Sequence, residues 1–242
     1  MDPLLSVVLP CYNEQDNLPA LFERLDKLSG SNTSIEIILV NNGSTDNSSV
    51  IFDQELKKRN NSSFKVVHVP VNKGYGFGIL EGLRNAKGQV LSYTHADRQT
   101  DPMDVLTALD LFQKHNNPEL LVKGFRRNRK MGEAFFSYGM GILSSLALGK
   151  RLSEINAQPK LFSRSFFERY EKNAPLDFSL DLYLLYCAKR NGKIIDFPVY
   201  FAKRVAGEAK GGSGSSFKVR KKLIKRTFTY IFELKNKLKH GK

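Results

Sequence analysis

Cysteine is scarce in this 242-residue chain: Cys11 and Cys187 stand alone, too few for a disulfide framework or a four-ligand zinc site. That scarcity implies a reducing compartment, with packing roles for both thiols. No apolar run approaches the roughly 18 to 20 residues needed to cross a bilayer, and the N-terminus enters a strand pattern at once, without a signal-peptide pattern. A cytoplasmic protein, not integral to a membrane, is expected. There is no internal repeat. Acidic residues are few relative to basic ones, 24 against 38, for a net charge of +14. The excess is uneven: residues 216–242 hold ten Lys or Arg and one acid, Glu233, so the tail carries +9 and the rest +5. Such a tail points to an anionic surface. Nucleic acid is disfavoured, because the basic residues lack interleaved aromatic platforms and no binding motif accompanies them.

What is present is an alternation of strand and helix patterns. Leu4 to Leu9 is a buried-strand run ending at Pro10. Asn13 or Asp16 can cap the helix that follows, whose apolar face is Leu18, Leu21, Phe22, Leu25 and Leu28. Ser34 to Val40 is a second strand, Asp46 opens a helix containing Val50, Ile51 and Leu56, and Lys65 to Val69 is a third strand. A glycine-rich turn, Gly74, Gly76 and Gly78, leads into a helix through Leu80, Leu83 and Ala86. Val90 to Thr94 and Leu120 to Phe125 are further strands, separated by a helix begun near Thr100-Asp101-Pro102. Beyond Arg126 the pattern gives helices near Phe135–Leu148 and Leu180–Lys189, one strand at Ile194–Phe201, and a Gly/Ser joint at 211–215. The order implies an α/β fold with a mostly parallel sheet.

Three strands deliver polar residues at their carboxyl ends, the edge where open α/β sheets bind ligands. They are Tyr12-Asn13-Glu14, Asn41-Asn42-Gly43-Ser44-Thr45-Asp46 and His95-Ala96-Asp97-Arg98-Gln99. If the last segment is extended, alternation puts His95, Asp97 and Gln99 on one side, a donor set suited to Mg²⁺ or Mn²⁺ bridging a diphosphate. Asp97 as a loop cap with a packed His95 is an equal reading of the same residues. The Asn-Gly-Ser-Thr-Asp loop reads either as turn and cap chemistry or as a base and ribose contact. The three glycines read as an ordinary turn or as a phosphate cradle, without the dinucleotide spacing.

Taken together, Pro10-x-Tyr12-Asn13-Glu14, Asn42-Gly43-Ser44-Thr45-Asp46, Asn72-Lys73-Gly74 and Ala96-Asp97-x-Gln99 before Asp101-Pro102 resemble the inverting glycosyltransferases of GT-A fold related to dolichyl-phosphate mannose synthase. The resemblance covers residues 4 to about 210. It implies a Rossmann-like nucleotide-sugar domain over 1–210, with a donor half at 1–125 and an acceptor half at 126–210; the Gly/Ser joint and basic amphipathic helix at 211–242 are read from the residues beyond it. It also implies a nucleotide-sugar donor, a divalent cation and, commonly, a polyprenyl-phosphate acceptor. By that similarity Pro10, Tyr12, Glu14, Asn42, Lys73, Gly74 and Ala96 line the donor site, and Asp97 and Gln99 hold the metal. Arg204 and the 207–210 stretch resemble a basic flap over the diphosphate, and Arg126 resembles an arginine near the acceptor phosphate.

The chain departs from the family where paired aspartates are replaced by Asn41-Asn42 and the first metal-site aspartate by His95, removing three negative charges. Asn156-Ala157-Gln158-Pro159-Lys160 replaces a serine-glycine-phenylalanine stretch. Either weaker metal binding or a preference shifted toward a softer ion that accepts nitrogen is expected, together with altered specificity. A phosphate monoester is largely dianionic near neutrality and needs no strong base, whereas a sugar hydroxyl does. Arg126, Arg127, Arg129, Lys130 and Lys160 are candidates to receive that phosphate, and Glu154 or Asp181 to act as base on a hydroxyl. Leu223, Ile224, Phe228, Ile231, Leu234 and Leu238 recur at helical spacing opposite Lys221, Lys222, Lys225, Arg226 and Lys237, the pattern of a helix lying on an anionic membrane. The same stripe would also serve to pack on the catalytic domain or on a second copy in a homo-oligomer. The alternative functions are transfer to a saccharide hydroxyl and non-catalytic nucleotide-sugar binding.

Overall fold

The computed structural model describes residues 2–115, 117–128, 131–205 and 217–239. Seven strands, β1 (Leu5–Cys11), β2 (Ile35–Asn42), β3 (Phe64–Val69), β4 (Val90–Tyr93), β5 (Leu120–Arg127), β6 (Lys160–Ser163) and β7 (Lys193–Tyr200), form one sheet in the order β3-β2-β1-β4-β6-β5-β7. Only β6 runs against its neighbours; it is antiparallel to both β4 and β5, while the other pairings are parallel. Eight α-helices accompany it among the described residues: α1 (Leu18–Ser29), α2 (Ser48–Arg59), α3 (Tyr75–Arg84), α4 (Asp104–His115), α5 (Met131–Leu148), α6 (Arg164–Tyr170), α7 (Leu180–Asn191) and α8 (Phe217–Lys239).

Strand alternation sorts the core into two layers. Leu5, Val7 and Leu9 pack with α1, α2 and α4 through Leu21, Phe22, Phe52 and Val105. Val8, Val40, Leu91 and Tyr93 face the other way, against α3, α6 and α7 through Leu80, Leu83, Phe166 and Leu184. The apolar face expected for α1 is the face that is buried. In α2, however, Phe52 carries the packing and Val50 is exposed, and neither Asn13 nor Asp16 caps α1, whose N-cap is Asn17.

Two elements were not legible in sequence, β6 and α6. Lys160 to Ser163 enters the middle of the sheet, so one sheet spans both halves of the domain. Residues 207–215, where the basic flap and the Gly/Ser joint were expected, lie outside the described residues, as do Arg129 and Lys130. The tail corrects a second expectation: α8 packs along α5, and its Ile231 and Leu234, with Tyr230, are buried in the α3/α7 core instead of facing outward. Both cysteines are buried and free.

Candidate active site

Chain order reverses beside β1, with β2 on one side and β4 on the other, which makes the β1/β4 edge the switch point where a ligand crevice opens. Glu14 and Asp97 stand in the loops that leave these two strands. Arg204, in the segment after β7, joins them: its Nη2 donates to Glu14 Oε1 at 2.6 Å and its Nη1 to Asp97 Oδ2 at 3.1 Å. Asn17 donates to the other Glu14 oxygen at 2.6 Å. Burial pushes the Glu14 carboxyl above its ordinary value, although Arg204 and Asn17 pull it back.

The His95-to-Gln99 segment is not a continued strand. β4 ends at Tyr93, Arg98 takes a positive φ of 62°, and Asp97 Oδ1 accepts the Gln99 N–H at 3.1 Å. A side-chain-captured turn, not strand alternation, therefore places these groups. Gln99 is tied to the segment after β7, donating Nε2 to the Ala202 carbonyl at 3.2 Å while its own carbonyl accepts the Ala202 N–H at 2.8 Å. Burial lowers the His95 imidazole below its ordinary value, against the pull of Asp97 and Asp181. Among the described residues no three His, Cys, Asp or Glu side chains gather as a metal group. By donor type alone, a carboxylate, an imidazole and an amide oxygen suit Mg²⁺ or Mn²⁺, so His95, Asp97 and Gln99 are the side chains that would hold such an ion.

The Asn-Gly-Ser-Thr-Asp loop is chiefly a clamp between two strand ends. Asn13 accepts the Thr45 N–H at 2.8 Å, Ser44 Oγ accepts the Asn13 N–H at 3.1 Å, Ser48 Oγ accepts the Glu14 N–H at 3.1 Å, and Asp46 accepts the N–H groups of Gln15 and Ser48 at 3.2 and 3.0 Å. Glu14 is thereby held from its backbone as well as its carboxylate. Gly43, at φ 69°, permits the turn, since a Cβ there would sit 2.3 Å from the Asn72 nitrogen. Asn41 accepts the Ser44 N–H at 3.2 Å. Asn42 is buried, donating to the Gly74 carbonyl at 3.0 Å, and its Oδ1 has no partner among the described residues.

The glycines after β3 serve helix packing. A Cβ on Gly76 would lie 2.6 Å from the Asp177 carbonyl, and one on Gly78 2.8 Å from the Asn42 amide. α3 therefore approaches the 175–177 backbone and β2 too closely for any side chain. Lys73 is exposed, with its ammonium 5.1 Å from the Phe77 ring centre.

Behind His95 lies a closed polar cluster. Asp181, at the start of α7, accepts hydrogen bonds from Tyr93 Oη at 2.6 Å, Lys160 Nζ at 2.5 Å and Tyr75 Oη at 3.2 Å. Lys160 also donates to the Ala157 carbonyl at 2.9 Å. Burial lowers the Lys160 ammonium to about 8 despite Asp181, and raises both tyrosines well above their usual range. At the end of β5, Arg126 Nε donates to Glu154 at 2.7 Å, and the guanidinium lies 5.4 Å from the Phe201 ring centre.

A family model described as "Glycosyl transferase family 2" matches residues 6–171. The chain belongs to glycosyl transferase family 2. A dolichyl-phosphate beta-glucosyltransferase of Dictyostelium discoideum is 24% identical, over 94% of this chain and 75% of its own. A dolichol-phosphate mannosyltransferase of Pyrococcus furiosus is 26% identical over 85% of this chain, which spans only 58% of that relative. Among solved structures, glucosyl-3-phosphoglycerate synthase of Mycobacterium tuberculosis in complex with UDP aligns with a TM-score of 0.71 at 18% identity, over 97% of this chain and 80% of its own. A mannosyltransferase of Pyrobaculum calidifontis in complex with GDP-Man and Mn²⁺ aligns at 0.61 and 20% identity, over 85% of this chain and 58% of its own. The α/β fold of this glycosyltransferase is that of its GT-A neighbours.

Within the glycosyltransferase, the structure brings Glu14, Asp97, Gln99 and Arg204 together. It does not bring Lys160 to the surface, so the ammonium is closed to an acceptor phosphate; Asp181 claims it. Two donors to Asp181 were missed: Tyr93, because a tyrosine inside an apolar run reads as core, and Tyr75, because it sits in the glycine-rich turn. Asn17 and Ser48 were also missed, although Glu14-x-x-Asn17 is a helical-spacing signal.

Proposed function

We propose that the chain transfers a sugar from a nucleoside-diphosphate donor to a polyprenyl phosphate, with inversion at the anomeric carbon. The observation that carries the reading is the Arg204 bridge. A guanidinium spanning the loops after β1 and β4 places a positive charge at the switch-point crevice, suited to a departing diphosphate. Pro10, Tyr12, Lys73, Gly74 and Ala96 would line the donor there, and Asn42 Oδ1, without a partner among the described residues, would accept from a base N–H. His95, Asp97 and Gln99 would hold Mg²⁺ or Mn²⁺, which when bound neutralises charge on the leaving diphosphate. The Mn²⁺ complex of the Pyrobaculum neighbour supports a cation, and the two relatives named for dolichyl or dolichol phosphate support the acceptor.

The fate of the two candidate bases favours a phosphate over a hydroxyl. Glu154 is engaged by Arg126, and Asp181 is closed to solvent under three donors. Neither carboxylate is free to take a proton from a sugar, whereas a phosphate dianion attacks without one. Among the described residues, Arg126 and the exposed Arg127 at the end of β5 are the candidate cations that would receive that phosphate. The chain would work peripherally at the cytoplasmic face of a membrane.

The test is a donor-by-metal screen with a short, soluble polyprenyl phosphate, following release of nucleoside diphosphate. Turnover with the phosphate and none with the matching prenol is expected. Turnover on a saccharide alcohol but not on the polyprenyl phosphate would overturn the acceptor assignment.

A further inference from the structure

The tail helix does not offer the apolar stripe expected of it, because Tyr230, Ile231 and Leu234 are buried in the core. The exposed apolar surface lies instead on its neighbour. Along α5, Tyr138, Ile142 and Leu146 are 69%, 45% and 79% exposed, and their spacing of four places them in one line about 12 Å long. Gly139 shares this exposed side, while Gly141, Ser144 and Leu148 face inward. Elsewhere, exposed large apolar side chains such as Val50, Val71 and Val205 are scattered singly. The only charged residue of α5 is Glu133.

α8 packs along α5 and supplies the charge. Lys221, Lys222, Lys225, Lys235 and Lys237 are exposed on it, and Phe232 is 60% exposed, at helical spacing from Lys221, Lys225 and Lys235. An apolar line on an almost uncharged helix, beside a lysine-rich helix with Phe232 turned outward, has the chemistry of the interface of an anionic bilayer. A second copy is the poorer occupant: a symmetric pairing through α5 and α8 would bring these lysines against their own counterparts.

We infer that the outward face of α5, with Phe232 and the lysines of α8, is the surface on which the protein docks to anionic phospholipid. α5 supplies the apolar insertion and α8 the cationic flank, while the inward face of α8 fastens it to the catalytic domain. α5 follows β5, whose last two residues are Arg126 and Arg127, so docking would bring that end of the site toward the bilayer. The inference rests on the polyprenyl-phosphate reading for its purpose but not for its geometry.

Flotation with phosphatidylcholine vesicles, with and without phosphatidylglycerol, tests it. The full chain is expected to float with phosphatidylglycerol vesicles, and Y138S/I142S/L146S to bind them about ten-fold more weakly or less, with an unchanged melting temperature. K221E/K225E/K235E is expected to lose the preference for phosphatidylglycerol. Because Cys11 and Cys187 are buried, Leu146→Cys can carry an environment-sensitive dye. Its emission is expected to shift to the blue on phosphatidylglycerol vesicles, a readout independent of the triple variant's folding. The inference is overturned by a wild-type chain that ignores phosphatidylglycerol, by an unshifted dye, or by undiminished binding of the folded triple variant. It is also overturned by a dimer that disperses in that variant while vesicle binding persists. Turnover on a soluble short polyprenyl phosphate needs no vesicle, so its absence alongside intact docking would sink the acceptor reading alone.

Discussion

Lys160 and Asp181 form an ion pair of 2.5 Å with 0% and 1% of their side chains exposed. Lys160 begins the one antiparallel strand, Asp181 lies in the first turn of α7, and the hydroxyls of Tyr93 and Tyr75 complete the carboxylate from β4 and α3. The pair thus fastens four elements beneath the catalytic edge. Asp181→Asn leaves the ammonium buried without its counter-charge, and a loss of about 3 to 5 kcal/mol is expected in urea unfolding. Lys160→Met, which leaves Asp181 its two tyrosine donors, is expected to lose less. Equal, small losses for both would mean that the pair is not a structural centre.

The same pair has a pH signature. Burial lowers the Lys160 ammonium to about 8 in the folded chain, below the ordinary lysine value of 10.5. Between these values the unfolded chain binds more protons at this site, so the burial penalty, present in full below about pH 8, is relieved as pH rises. Melting temperatures measured from pH 8 to 10.5 are expected to rise in wild type relative to Lys160→Met. Parallel curves would contradict the assignment.

How much of this was readable depends on whether function and folding asked for the same residue. The β1 and β2 runs, the α1 face and the polar strand ends were legible because local pattern and final burial agree. Lys160-Leu161-Phe162-Ser163 was not, since a short segment opening on a lysine gives no strand period; only Asp181, from a distant helix, makes its burial tolerable. The glycines after β3 were legible as a turn. Their reason lies in the 175–177 backbone, about a hundred residues away, where sequence spacing carries no signal.

That close approach predicts opposite outcomes for two glycine-to-alanine changes. In Gly76→Ala the new methyl meets the Asp177 and Pro175 carbonyls at 2.6 and 2.7 Å, backbone atoms that cannot rotate away. A loss of about 1 to 3 kcal/mol is expected. Gly139, on the open side of α5, has nothing within 4 Å of an added Cβ. Gly139→Ala is expected to gain about 0.5 to 1 kcal/mol through helix propensity. Thermal melts of the two single variants decide the matter, and a harmless Gly76→Ala would return those glycines to a ligand-facing role.

Asp46 ties the loops after β1 and β2. Burial alone would raise its carboxyl, but hydrogen bonds from Ser48 and Gln15 outweigh it and hold the group below its ordinary value. A carboxylate lowered on folding adds stability that is present above its unfolded value of 3.8 and is lost as pH falls through the folded value. Wild type is therefore expected to lose its stability advantage over Asp46→Asn on acidification below about pH 4. If the difference between the two is flat with pH, the carboxylate is not what closes the clamp.

Asp97 offers a sharper test of the chemistry, because its structural and functional roles separate. Its Oδ2 accepts from Arg204, and the carboxyl is only partly buried, so Asp97→Ala removes an ion pair that Glu14 still shares. The fold should therefore survive, with melting near wild type, while turnover falls about 100-fold or more through loss of electrostatic stabilisation of the leaving group. Retained turnover would remove Asp97 from the metal site. His95→Asp replaces imidazole with a harder oxygen donor, and is expected to keep activity while shifting preference from Mn²⁺ toward Mg²⁺. Mn²⁺ binding measured by electron paramagnetic resonance, with nucleoside diphosphate present, should weaken in Asp97→Ala and persist in His95→Asp. A folded His95→Asp protein that binds Mn²⁺ normally yet turns nothing over would show that the imidazole serves a step other than holding the cation.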